Sequence, residues 1–305
     1  MRLDDNKTKL TDLIYKTGSF FNIDVEFVEK DYWVVLLLKK IFEQDRNYVF
    51  KGGTSLSKCY KIINRFSEDI DISYCDNFND ISVADRNKRF RNIIKSVESL
   101  GLCISNKTDL RRGAYFNRFV CPYKSMTEGN NIDKMVYIEL AAQTPSFPVQ
   151  KMKIQSFIGE YLENNGNQDL VVEYGLEPFE INVQALKRTV VDKTFAICDY
   201  YLESKPTKHS RHLYDIYKSL PIISLNSSLK NLFLDVRNYR KKIKVCRSAQ
   251  EGIKLHEVLS EVIEKDFYKD DYNKTTLFLL YESIPYSKCK EALIRLCDFL
   301  KQINI

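Results

Sequence analysis

Three carboxylates fall within four positions of the sequence, at Glu68, Asp69 and Asp71. Like charges at this density repel each other unless solvent or a cation offsets the repulsion. The stretch EDIDISY alternates polar and apolar residues with period two, which predicts a strand. On a strand Asp69 and Asp71 project to the same face, where their oxygens suit a hard divalent cation such as Mg²⁺ or Mn²⁺. Glu68 falls on the opposite face or in the preceding turn, and we interpret it as a solvated side chain.

A third acid has a similar setting further along the chain. In VYIELA, Glu139 points away from Val136, Ile138 and Leu140, and it is the lone acid on the polar face of a predicted strand. Three acids on neighbouring strands would form a one-metal or two-metal centre for phosphoryl transfer. The alternative is an ordinary solvated strand face, because an Asp-x-Asp pattern alone is a weak signal.

A glycine pair precedes the acids. FKGGTSLSK predicts a strand, then a turn at Gly52 and Gly53, then the start of a helix. Such a turn lets backbone amides approach a phosphate, and Thr54 or Ser55 can cap the helix or bond a phosphate oxygen. The GxxxxGK[ST] pattern of a Walker A loop is absent. The combination of this turn with Asp-x-Asp on the next strand favours a nucleotide site over a plain turn.

The surrounding pattern predicts an α+β protein. Apolar spacing predicts a helix over 24–44 with Asp24 as its N-cap, and a second helix continues from the glycine turn over 54–66. A further helix over 85–100 and strands over 115–123, 134–142 and 179–186 follow. From about residue 186 the pattern is almost entirely helical. We therefore expect an α+β domain with a mixed sheet at 1–205 and a helical bundle at 206–305.

Composition restricts the class of protein. The chain has 305 residues, of which 44% are hydrophobic and 29% charged, which is typical of a globular protein. Its net charge of +6 is compatible with a nucleic-acid partner. The longest apolar run, residues 33–38, is far too short to span a membrane, and the eight cysteines show no CxxC spacing. We expect reduced thiols, no zinc site and a cytoplasmic location.

One segment is strongly basic. RNYRKKIKVCR, residues 237–247, contains no acid, and a helix through it would align Arg237, Arg240, Lys241 and Lys244 on one face. A solvated helix face and a track for a nucleic-acid backbone both fit this pattern. Tyr239 could stack on a base, but a single tyrosine does not decide between them.

Two polar residues lie in otherwise apolar helical surroundings. Lys193 sits in VVDKTFAI, where a lysine usually extends its amine to solvent. Asp215 sits in HLYDIY and requires a partner if it is buried, which Lys193 or Arg211 could supply. His209 and His212 have no third ligand near them in sequence, so we do not expect zinc. A general-base role for histidine stays open.

The combined motifs resemble a known family. KGGTSLSK followed by RFSEDIDI, with EKDYWVVLLLKKI before it, is similar to the AbiEii/AbiGii toxin branch of the DNA polymerase β-type nucleotidyltransferases. VVDKTFA at 190–196 and RHLYDIY at 211–217 also resemble segments of that branch. These are proteins of bacterial abortive infection and toxin–antitoxin systems. The four blocks span residues 29–217, and the remaining C-terminal residues carry no family motif.

The resemblance implies a role for each matching residue. Gly52, Gly53 and Ser55 would hold nucleotide phosphates, and Asp69 and Asp71 would bind the metal ions. Lys193 would contact the triphosphate. Arg65 would hold a phosphate or an acid in place, and Asp215 would act near the nucleotide or the lysine. Glu139 is a candidate third metal ligand.

These observations predict a metal-dependent nucleotidyltransferase that transfers a nucleoside monophosphate from an NTP. By resemblance the acceptor is an RNA, such as the 3′ end of tRNA, or a protein hydroxyl, and a cognate antitoxin is a possible partner. The alternative is a nucleotide-binding protein that acts through partner binding without transfer. A purely structural protein with exposed acids is the third interpretation.

Overall fold

The chain divides into two compact units. The computed structural model describes residues 1–65, 67, 69–77, 80–129 and 132–305. The first unit comprises Met1–Cys59 and Ser67–Val183, and the second comprises Tyr60–Phe66 and Gln184–Ile305. Seven residues after α3 therefore belong to the unit that contains the C-terminal helices. The domain division expected at residue 205 stays a prediction.

A six-stranded mixed sheet forms the centre of the first unit, in the order β3-β4-β2-β1-β6-β5. β1 is antiparallel to β2 and parallel to β6, while β4 is parallel to β2 and antiparallel to β3. This confirms the predicted α+β class. The strands are β1 (Tyr48–Lys51), β2 (Ile70–Tyr74), β3 (Phe116–Pro122), β4 (Met135–Ala141), β5 (Val149–Ile154) and β6 (Phe179–Gln184).

One face of this sheet is apolar. Ile70 and Ile72 on β2, Ile138 on β4 and Phe119 on β3 are all 0% exposed. The intervening residues of β3 and β4 are more exposed, as period-two alternation requires. The polar face therefore carries every side chain that the sequence marked for chemistry on these strands.

Within the described residues, the first unit also contains six α-helices. α2 begins after Asp24, whose side chain accepts a hydrogen bond from the Glu26 amide as predicted for an N-cap. α2 is buried along most of its length and contacts α1, α4, α5 and β4. The helices are α1 (Lys7–Phe21), α2 (Val25–Gln44), α3 (Gly52–Lys58), α4 (Val83–Ser99), α5 (Phe157–Asn164) and α6 (Gln168–Glu173). The sequence patterns did not predict α1, α5, α6 or β5.

The helix after the glycine turn is shorter than predicted. α3 ends at Lys58, so the predicted helix over 54–66 is wrong in its second half. Lys61 has a φ of 53°, in the left-handed region that interrupts a right-handed helix. Leu56 is buried in α3, but Ile63 is buried in a non-helical segment.

The second unit is helical, as predicted for the C-terminal part of the chain. α7 contacts α8, α9 and α10, and α12 contacts α8 and α10. Phe195, Leu213, Phe233, Leu259 and Leu296 are fully buried. The helices are α7 (Leu186–Leu202), α8 (Arg211–Ser219), α9 (Ser227–Arg240), α10 (Leu255–Glu264), α11 (Lys269–Asp271, a single turn) and α12 (Tyr286–Gln302). A π-helical turn, Tyr272–Thr276, follows α11.

All eight cysteines are free thiols. Among the helices that the structure describes, none combines the length and apolar character needed to cross a membrane.

Candidate active site

The glycine turn lies directly against the carboxylate of Asp71. Gly52 is the first residue of α3 and has a φ of +76°. A Cβ added to Gly52 would lie 1.8 Å from Asp71 Oδ2 and 2.6 Å from its Cγ. Only glycine allows the turn and the acid to approach this closely. The structure therefore brings together the two motifs that the sequence singled out.

The two hydroxyl residues after the glycines are buried and bonded within the first unit. Ser55 Oγ donates to the Gly52 carbonyl oxygen at 2.9 Å, and Thr54 Oγ1 lies 3.0 Å from Ser67 Oγ. Thr54 is 2% exposed and Ser55 is 0% exposed. In this arrangement the hydroxyls fix the shape of the turn.

Four charged residues form a row across four strands. Lys51 on β1 pairs in register with Asp71 on β2, Asp71 with Glu139 on β4, and Glu139 with Arg118 on β3. Residues that are directly opposite on neighbouring strands share one face of the sheet. Asp71 and Glu139 are both half-buried, and Asp69 is half-buried one residue before β2 begins. We call Lys51, Asp71, Glu139 and Arg118 the charged row.

Glu139 already has a cationic neighbour. Arg118 Nε lies 3.5 Å from Glu139 Oε1, and the Arg118 guanidinium lies over the Tyr137 ring at 4.1 Å. Over the part of the chain that the structure describes, no group of three or more His, Cys, Asp or Glu side chains is arranged to hold a metal ion. Glu139 as a third ligand therefore stays a prediction.

Asp69 and Asp71 supply the type of ligand that a divalent cation takes. Mg²⁺ is usually bound by one or two carboxylates together with substrate phosphates and water. Asp71 is adjacent to the turn where a phosphate would bind, so the donor set suits a metal that arrives with a nucleotide. The interpretation of Glu68 as a solvated side chain concerns a residue that lies outside the described residues.

The second unit contains a buried ionic cluster. Asp215 on α8 is 0% exposed, and Arg65 donates from Nε to its Oδ1 at 2.7 Å and from Nη2 to its Oδ2 at 2.8 Å. Lys193 on α7 places its Nζ 2.6 Å from the same Oδ2. Burial would raise the pKa of Asp215, but Arg65 and Lys193 outweigh that effect and hold the pKa well below its usual range. The acid is therefore ionised and paired with two cations.

Lys193 has a second polar neighbour, His212. The Lys193 Nζ and His212 Nδ1 atoms are 3.4 Å apart. Burial lowers the pKa of Lys193, and the nearby Asp215 opposes this change. Burial, Lys193 and Arg211 together hold the pKa of His212 well below its usual value, so this imidazole is neutral. His209 stacks on Tyr200 with ring centroids 3.4 Å apart.

The start of α8 is fixed by an acid that the sequence reasoning did not identify. Asp271 accepts hydrogen bonds from the Lys208 amide at 2.9 Å and from the Ser210 amide at 3.1 Å. Ser210 Oγ also lies 2.6 Å from Thr276 Oγ1 in the π-helical turn. These contacts fix the helix that carries Asp215. Asp271 and Ser210 are 61 residues apart in sequence, so no local pattern could have identified Asp271 as the acid that fixes this helix.

The basic segment at 237–247 is not a continuous helix face. α9 ends at Arg240 and Lys241 is its C-cap, so the prediction that Lys244 shares this helical face is wrong. Arg237 donates to the Ala249, Gln250 and Ile253 carbonyls, and Arg240 Nη2 pairs with Asp199 Oδ2 at 2.5 Å. Lys241 and Lys244 are exposed. The two arginines thus hold the unit together, and nucleic-acid binding by the segment stays a prediction.

A buried ion pair connects α2 to α3. Asp31 Oδ1 lies 2.7 Å from Lys58 Nζ, and Asp31 Oδ2 accepts a hydrogen bond from the Phe157 amide at 2.7 Å. Lys58 Nζ also lies 3.7 Å from the centre of the Phe157 ring. Both members of the pair are buried. The EKDYW segment, which carries part of the family resemblance, therefore helps to position the glycine-turn helix.

The mixed sheet, the glycine turn and the adjacent acids together define a nucleotidyltransferase. The chain belongs to the family described as "Nucleotidyl transferase AbiEii toxin, Type IV TA system", whose model matches residues 36–291. This confirms the predicted family and places the enzyme in a toxin–antitoxin system.

A solved structure shows the same fold. MenT4, a nucleotidyltransferase toxin from Mycobacterium tuberculosis H37Rv, aligns with a TM-score of 0.50 at 15% sequence identity, covering 97% of this chain and 85% of that chain. JHP933 from Helicobacter pylori aligns with a TM-score of 0.41 at 16% identity, covering 90% of this chain and 92% of that chain. Comparison with curated proteins gave no match.

Proposed function

We propose that this nucleotidyltransferase is metal-dependent and transfers a nucleoside monophosphate from an NTP to an RNA acceptor. The observation that carries the proposal is the close approach of Gly52 to the Asp71 carboxylate. A turn that can receive phosphate and an acid that can receive a cation are there in direct contact, as a metal-bound nucleotide requires.

Asp69 and Asp71 would hold Mg²⁺ or Mn²⁺, with Glu139 as a candidate third ligand. When bound, the metal would neutralise developing charge on the phosphoryl oxygens. The glycine turn would orient the phosphates through its backbone amides, and Thr54 and Ser55 would fix the shape of the turn. The contact of Lys193 with the triphosphate, implied by the family resemblance, stays a prediction, as does the role of Asp215 near it.

The transfer step involves one bond made and one bond broken. An acceptor hydroxyl oxygen forms a bond to the α-phosphorus, the bond from that phosphorus to the α,β-bridging oxygen breaks, and pyrophosphate leaves with its electron pair. The hydroxyl proton passes to a carboxylate of the site. Orientation and electrostatics provide most of the rate enhancement in such reactions.

The family adds a partner and a setting. A toxin of a toxin–antitoxin system has a cognate antitoxin, and we propose such an antitoxin as a partner of this chain. We propose that the enzyme acts in the cytoplasm, where NTPs and RNA are available and free thiols are stable.

The experiment that tests the proposal incubates the protein with each of the four α-³²P-labelled NTPs and total bacterial RNA, with Mg²⁺, with Mn²⁺ or with EDTA. We expect label in RNA with one or more NTPs, and none in EDTA. Label in protein alone would show that the acceptor is a protein and not RNA. NTP binding without transfer under any condition would contradict the proposal and favour the nucleotide-binding protein.

A further inference from the structure

An exposed aromatic and basic surface adjoins the charged row on the edge strand. Phe116 and Arg118 lie on the same face of β3, and Arg118 pairs in register with Glu139. Phe116 is 47% exposed, and the Arg118 side chain is also 47% exposed. The Phe116 ring and the Arg118 guanidinium are therefore both accessible to a ligand on this face of the edge strand.

The order of the strands places the glycine turn at one end of the charged row and β3 at the other. The glycine turn follows β1, Asp71 lies on β2, Glu139 on β4, and β3 is at the edge of the sheet. Neighbouring strands are about 4.8 Å apart, so β3 lies roughly 10 Å from β2, on the side away from the glycine turn. In an in-line displacement the attacking and leaving oxygens lie on opposite sides of the phosphorus. With pyrophosphate at the glycine turn, the attacking hydroxyl approaches from the side of β3.

The chain before β3 is fixed against the strand. Asn106 Nδ2 donates to the Arg118 carbonyl at 2.8 Å, and Asn106 Oδ1 accepts from the Val120 amide at 3.0 Å. The buried Asn117 side chain exchanges two hydrogen bonds with the Arg111 backbone. Arg112 directly follows the anchored Arg111, and Tyr115 directly precedes β3; both are exposed. We call Arg112, Tyr115, Phe116 and Arg118 the β3 surface.

We infer that the β3 surface binds the acceptor and that this acceptor is single-stranded RNA. Exposed aromatic rings stack on nucleobases, and arginines neutralise phosphates, which is the combination that single-stranded nucleic acid requires. A protein acceptor presents neither a run of phosphates nor flat bases. The inference rests on the proposed function for the direction of attack, but it makes a separate claim about RNA binding.

The test measures RNA binding in the absence of NTP. Fluorescence anisotropy with a 5′-labelled single-stranded 20-mer of mixed sequence compares the wild-type chain with Phe116→Ala and Arg112→Gln. Arg118 is left unchanged because its loss would remove the cation beside Glu139. Phe20→Ala on α1 and Arg91→Gln on α4 are matched controls, since both residues are exposed and neither lies on the sheet. Thermal midpoints check that each variant is folded.

We expect Phe116→Ala to weaken RNA binding by at least about fivefold, as loss of one stacked base does. Arg112→Gln should reduce the slope of log K against log salt by about 0.7, which corresponds to one phosphate contact. The affinity for each NTP, measured separately, should not change in either variant, and both controls should bind RNA like the wild type.

Two results would overturn the inference: a wild-type chain that does not bind the RNA, or unchanged RNA binding in both β3 variants. The first result would point to a protein acceptor. RNA binding that behaves as expected, in a chain that never transfers label, would instead contradict the proposed function and leave the β3 surface as an RNA-binding site.

Discussion

At the scale of single residues, the negative charges of Asp215 and Asp71 lie in different surroundings. Asp215 is fully buried and paired with Arg65 and Lys193, both supplied by its own unit. Removing one member of such a cluster leaves a buried charge without compensation, which typically costs about 3–5 kcal/mol. Asp71 is half-buried beside a turn that suits a phosphate. Loss of the Asp215 ion pairs therefore destabilises the fold, whereas Asp71 can receive a cation.

His212 makes the stability of the second unit depend on pH. Burial together with Lys193 and Arg211 holds its pKa well below 6.5 in the folded chain, whereas the unfolded chain binds a proton near pH 6.5. Between these two values the unfolded state binds more protons, so stability falls as the pH falls below 6.5. The maximum slope from one such group is about 1.4 kcal/mol per pH unit.

We predict that His212→Gln reduces this loss. The thermal midpoint, measured at intervals from pH 7.5 to pH 5, should fall less steeply in the variant than in the wild type. Part of the slope should persist, because burial and Arg211 also lower the pKa of His209. Parallel curves for variant and wild type would show that His212 is not held neutral.

At the scale of elements, the turn between β1 and α3 fixes the distance between the Gly52 backbone and Asp71. We predict that Gly52→Ala abolishes transfer, because its Cβ would occupy the position of the Asp71 carboxylate and its φ of +76° is unfavourable for alanine. The transfer rate and the thermal midpoint are the quantities to measure.

Gly166→Ala is the matched control for that substitution. Gly166 has a φ of +70°, and a Cβ there would meet nothing within 4 Å. It therefore reproduces the backbone strain, about 1–2 kcal/mol, without the clash. Equal transfer rates in the two variants would contradict the assigned role of the turn.

At the scale of the whole molecule, local sequence patterns predicted helices and strands better than they predicted the contacts between them. Period-two alternation was sufficient for β2 and β4, and the cap at Asp24 was sufficient for the start of α2. The end of α3 depends on a left-handed residue, Lys61, that no helical spacing indicates.

Most of the features that the sequence did not predict are contacts between residues far apart in the chain. Arg65 and Asp215 are 150 residues apart in sequence and meet because residues 60–66 belong to the second unit. The contact of Glu139 with Arg118 follows from the register of β4 on β3, which depends on the assembled sheet. The prediction of a helix face that includes Lys244 is wrong because α9 ends at Arg240. Arg237 and Arg240 also have partners inside their own unit, which no local pattern indicates.

The central claim is that Asp69 and Asp71 hold the metal that transfer requires. The most direct measurement is the single-turnover rate of label transfer for Asp71→Asn and Asp69→Asn, with the exposed Asp169→Asn on α6 as control. Asparagine keeps the shape of the side chain but lacks the charge that binds the cation. We predict a decrease of about 100-fold or more, roughly 3 kcal/mol in barrier height, for both site variants and wild-type rates for the control. Wild-type rates in either folded site variant would contradict the account.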